Sequence, residues 1–171
     1  MAKRKMPLTE AGWFTSIDTE RMLAFLKSSS HRKLQLLNYG CCRRLWGSIA
    51  PQRQGAIELA ERYADGEASR KDVRTIRATT CDYWIPRIAT ENQNLISAVD
   101  SALGFSERGF CNGSISGRVS EEVVSASRNA PAEWNAQGSL VRCVFGNPFR
   151  PVVFDAEWRS DTALSLAKHI Y

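Results

Sequence analysis

Apolar residues recur at spacings of three and four along most of this chain, the period that lines up one face of an α-helix. Thr9 and Glu10 ahead of Trp13 predict a short N-terminal turn or helix. Asp18 is placed to cap the next helix: its carboxylate can accept from the free amides of "TERMLAFLK", whose Met22, Leu23, Phe25 and Leu26 supply an apolar face. Ser28 to Ser30 predict a break and a cap. From His31 to Ile49 the stripe Leu34, Leu37, Cys41, Leu45 and Ile49 predicts a longer helix. Gly40 inside that stripe costs about 1 kcal/mol relative to alanine, which points to a neighbouring helix packed close.

Pro51 opens a further helix at its first turn, with Ile57, Ala60 and Ala64 on one face and Gly66 at its end. Ser69 and Asp72 form a capping box with aspartate in place of the usual glutamate, ahead of Val73, Ile76, Thr80 and Trp84; Pro86 then stops or kinks the helix. Ile88, Leu95, Ile96, Val99 and Leu103 continue the helical period up to Gly104. Residues 104–118, rich in glycine and serine, read as a loop and as the place for mobility or a boundary. Ser120 is expected to cap a short helix, and Pro131 starts one carrying Trp134, Leu140, Val141, Val144 and Phe145, closed by Gly146. Pro148 and Pro151 forbid a helix next; Val152–Phe154 is at most one short strand, and Asp155 and Asp161 are candidate caps for the last turns. The pattern predicts a mainly α fold, a single compact bundle of about seven or eight helices with a Pro-rich turn near the C-terminus, residues 1–171 forming one helical domain.

Composition narrows the class further. With 43% hydrophobic and 24% charged residues the chain has ordinary globular usage. No apolar run approaches ~18 residues, so no membrane span is expected. The start "MAKRKMPLTEAGW" lacks the apolar stretch of a signal peptide. Five cysteines, none spaced Cys-x-x-Cys, fit reduced thiols in the cytoplasm better than a disulfide framework. The net charge of +5 permits nucleic acid or acidic partners without requiring either.

The stretch "YGCCRRLWGSI" concentrates the candidate chemistry. Cys41 belongs to the apolar stripe. Cys42 is either a small hydrophobe beside it or a reactive thiol, since Arg43 and Arg44 would favour a thiolate. Cys41, Cys42, Cys81, Cys111, Cys143, His31 and His169 are the zinc-type donors, scattered without paired spacing, and no metal site is assigned. Arg43 and Arg44 have three readings: a solvated face, a partner or phosphate contact, or a guanidinium bracing the "NPFRP" turn, whose prolines leave carbonyls without amide donors. Arg150 is expected to brace that turn by pairing with Asp155 or a helix C-terminus, with a functional cation as the alternative. Of the tryptophans Trp13, Trp46, Trp84, Trp134 and Trp158, most are expected in the core, and an exposed one would mark a partner surface. Neither paired catalytic carboxylates nor a phosphate loop or hydrolase signature is found, so no catalytic residue and no cofactor are assigned.

Two segments together carry a family resemblance. "LTEAGWFTSIDTERMLAFLKSSSHRKLQLLNYGCCRRLW" resembles the N-terminus of a group of uncharacterised bacterial proteins abundant in planctomycetes, with a Thr-Glu-x-x-Trp start and a Cys-Cys-Arg-Arg-x-Trp core. "VFGNPFRPVVFDAEW" is similar to their second hallmark, a Phe-Gly-Asn-Pro-Phe-Arg-Pro turn followed by Asp-x-x-Trp. The matching parts cover about half of the chain, and the resemblance implies relatedness but no activity. The leading functional expectation is a non-enzymatic cytoplasmic helical domain acting through protein–protein contacts, with Arg43, Arg44, Trp46, Arg150, Asp155 and Trp158 as interaction candidates. The alternatives are a nucleic-acid binder using the basic helix 31–46 and a thiol- or metal-dependent enzyme.

Overall fold

Polar side chains beside the helix starts set where the chain enters each one, and the computed structural model describes these starts within residues 8–26, 30–80, 92–108, 113–151, 160 and 162. Thr9 Oγ1 accepts from the Gly12 amide at 3.1 Å and opens α1 (Glu10–Thr15). The Asp18 carboxylate accepts from the Arg21 amide at 2.8 Å and opens α2 (Thr19–Phe25). Ser30 precedes α3 (His31–Arg43) without a side-chain cap. Pro51 stands at the start of α4 (Pro51–Ala64), and Gly66, at a φ of 82°, turns the chain away from it. The box before α5 (Arg70–Thr80) is reciprocal: the Ser69 amide donates to Asp72 Oδ2 at 3.0 Å and the Asp72 amide to Ser69 Oγ at 3.2 Å. Asn129 caps α8 (Ala130–Phe145) by accepting from the Ala132 amide at 3.1 Å.

Between α5 and α8 run α6 (Gln93–Arg108) and α7 (Gly113–Ala126). The expected loop over 104–118 is therefore helical at 104–108 and again from 113. Its small residues serve packing instead. A Cβ on Gly113 would stand 3.3 Å from the Leu23 carbonyl oxygen, so α2 lies almost against the α7 backbone. Ser116 and Ser120 are buried in the same helix, and Ser120 caps nothing. The stripe expected to run as one helix to Ile49 also breaks: α3 ends at Arg43 and a 3-10 turn follows at Trp46–Ser48. Pro51 acts only at the next boundary: the residue before a proline avoids helical geometry, and Ala50, extended at ψ 145°, marks the entry to α4. The expectations for Trp84, Pro86, Val152–Phe154, Asp155, Trp158 and Asp161 lie outside the described residues.

The result is a mainly α bundle of eight α-helices and no strand among the described residues. α3 is its axis, packed against α4, α6, α7 and α8, while α2 rests on α7 and α8 and α5 on α4 and α6. Leu34, Leu37 and Cys41 of α3 share one apolar cluster with Ile57, Val73, Val99, Leu103, Val119, Val123 and Val141. The close approach anticipated at Gly40 is made by α8: a Cβ there would sit 2.9 Å from Leu140 Cδ2. No helix among the described residues is long and apolar enough to cross a membrane.

Candidate functional site

The two segments quoted for the family resemblance meet in space, through Glu10. Its Oε1 accepts from Asn147 Nδ2 at 2.8 Å and pairs with Arg150 Nε at 2.7 Å, while Oε2 accepts from Arg150 Nη2 at 3.3 Å. Asn147 Oδ1 also accepts from the Phe149 amide at 3.0 Å, closing the turn on itself. The Asn147 hydrogen bond, with a smaller contribution from Arg150 and against the opposing effect of burial, holds the Glu10 carboxyl below its ordinary 4.5. Gly146, at a φ of 72°, lets the chain leave α8 toward Glu10, and Phe149 stacks on Phe25 with ring centroids 4.9 Å apart.

A second arginine fixes the same N-terminal segment from the other side. Arg142 Nη1 donates to the Ser16 carbonyl at 2.9 Å and to the Trp13 carbonyl at 3.3 Å, and its Nη2 donates to Ser139 Oγ at 3.2 Å. Gly138, one turn before Arg142 on α8, allows the backbone of residues 16 and 17 to lie directly on that helix. Trp13 fills the core without exposure, and neighbours around a helix differ by about 100°, so Phe14 must point elsewhere. Phe14 is 54% exposed and Ile17 43%, the exposed large hydrophobics among the described residues. Two apolar anchors thus stand on a backbone held by a core tryptophan, an arginine fork and a carboxylate clip.

The structure assigns Arg43 and Arg44 to other tasks than bracing the "NPFRP" turn. Arg43 makes a two-pronged pair with Glu61 of α4 and lies over the half-buried Trp46 ring, 4.4 Å from its centroid. Arg44 Nε donates at 2.8 Å to Oε1 of Glu133, which is only 5% exposed. From Glu133 a polar chain crosses the interior. Gln137 Nε2 donates to Glu133 Oε1 at 3.1 Å, the Ser120 hydroxyl donates to Gln137 Oε1, and Thr19 Oγ1 lies 2.8 Å from Ser120 Oγ. Ser120 has spent its proton on Gln137, so Thr19 is the donor of that last bond. The turn is braced by Glu10 instead because α3 ends beside α4 and the start of α8, whereas the turn follows the far end of α8. Arg150 does brace the turn, but its observed partner is Glu10; Asp155 lies outside the described residues, as does Trp158.

The basic helix is internally engaged. Arg32 pairs with Asp65, Arg43 with Glu61 and Arg44 with Glu133, and Lys33 Nζ lies 5.9 Å from the Phe145 ring centroid. At the three arginines a phosphate would compete with those carboxylates. The candidate thiol is corrected as well. Cys42 is fully buried, and burial, followed by the nearby Cys41, Glu122 and Glu61, pushes its thiol well above the ordinary value. Burial likewise pushes Cys41 up to about 12, with Glu133 adding and Arg44 opposing. The flanking arginines do not make a thiolate because burial outweighs them: Arg44 opposes the rise at Cys41 without reversing it. Among the described residues no group of three His, Cys, Asp or Glu could hold a metal ion.

Sequence reasoning passed over Glu10, Phe14, Ile17, Glu133 and Arg142. Glu10 finds Asn147 and Arg150, and Arg142 finds the Trp13 and Ser16 carbonyls, each more than a hundred residues away in the chain. The legible signal was the order Trp13–Phe14, since two adjacent aromatics on a short helix cannot both face one core. The described tryptophans 13, 46 and 134 are buried or half-buried, and the exposed large aromatic among the described residues is Phe14. No protein family, curated protein or solved structure matches the chain.

Proposed function

We propose that this protein is a non-enzymatic helical domain that acts through protein–protein contacts, with Phe14 and Ile17 as its anchors. The observation that carries this reading is their exposure on a backbone that Arg142, Gly138 and Trp13 hold in place. A pre-ordered apolar pair has little conformational freedom left to lose on binding, so burying it against an apolar pocket contributes most of its transfer free energy. Kinship with the planctomycete group belongs to the same proposal. It rests on the two quoted segments occurring together and in order in this chain. A cytoplasmic location also belongs to it, supported by the free thiol of the exposed Cys143.

Site-specific photo-crosslinking tests the reading. A photoreactive phenylalanine analogue at position 14 is expected to capture a discrete protein in cells, while the same group at exposed Thr75 on α5 does not. Adding Ile17→Ser should reduce that capture by roughly tenfold, the effect of losing about 1–2 kcal/mol of apolar burial. Equal labelling from positions 14 and 75, or indifference to Ile17→Ser, overturns the assignment.

A further inference from the structure

We draw no further inference here: the strongest candidate, the groove of about 320 Å³ between α2 and α7 lined by Glu20, Ser114, Arg118 and Glu121, is an open surface groove of mixed charge in which no buried polar group points toward a ligand and one carboxylate, Glu20, already has a partner.

Discussion

Gly40 of α3, Gly55 of α4 and Gly138 of α8 each lie inside a helix, and replacing them by alanine separates local propensity from tertiary packing. Propensity alone favours all three variants by about 1 kcal/mol. At Gly55 nothing lies within 4 Å of the new Cβ, so Gly55→Ala should gain most of that amount. At Gly40 the new methyl meets Leu140 Cδ2 at 2.9 Å. That atom is the far end of a flexible side chain, and turning it off its rotamer costs about 0.5–1.5 kcal/mol, so Gly40→Ala should stay near wild type. At Gly138 the methyl meets the Ser16 carbonyl oxygen at 2.9 Å and Ile17 Cα at 3.4 Å, both backbone. The segment must lift off α8, which strains the Arg142 bond to that same carbonyl. Overpacking of this kind costs about 1–3 kcal/mol, and weakening a hydrogen bond to a charged donor adds to it. Gly138→Ala should therefore lose about 1–3 kcal/mol net, some 2–4 kcal/mol below Gly55→Ala. Urea titration followed by far-ultraviolet circular dichroism reads this as ordered midpoints at unchanged slope. If Gly138→Ala matches Gly55→Ala, the packing of residues 16 and 17 on α8 is wrong, and with it the rigidity claimed for Phe14 and Ile17.

Adjacent arginines should separate in the same assay. Arg44→Ala leaves the buried Glu133 carboxylate with Gln137 alone and should cost about 2–3 kcal/mol, partly restored by Glu133→Gln; Arg43→Ala, at a more exposed pair, should cost about 1 kcal/mol. Equal losses would contradict the burial of Glu133. Alkylation followed by peptide mass spectrometry at pH 8 should label Cys143 in the native protein and reach Cys41 and Cys42 only after unfolding; native labelling of Cys42 at the rate of Cys143 would reinstate it as a reactive thiol. The Glu10 clip should respond to acid. Its folded value lies below 4.5, so its contribution is fully present above 4.5 and is lost as pH falls through the lowered folded value. The stability difference between wild type and Glu10→Gln should therefore shrink below that pH, and a difference that grows in acid would reverse the sign of the argument.

What the sequence determined by itself was local. Thr9, Asp18, Pro51, Gly66, the Ser69–Asp72 box and Gly146 set helix boundaries because each acts on amides or dihedrals within about four residues of itself. The three-and-four stripes placed Leu34, Leu37, Cys41, Ile57, Val73 and Val99 in the core, since a helix cannot hide its apolar face from its own period. The same local logic misread 104–118, because glycine and serine loosen a chain in water and equally let two helices touch; only α2 resting against Gly113 decides between the two.

Pairings of charge belonged to the tertiary structure alone. Glu10 and Arg150, Arg44 and Glu133, and Arg142 with Ser16 are joined across most of the chain length. No periodicity reports such a contact, because a guanidinium donates to any carboxylate or carbonyl oxygen that packing brings within about 3 Å. The sequence showed that the chain had to be a helical bundle with arginines near its thiols. Packing directed those arginines to Glu61 and Glu133, gave the turn to Glu10, and left Phe14 and Ile17 facing outward.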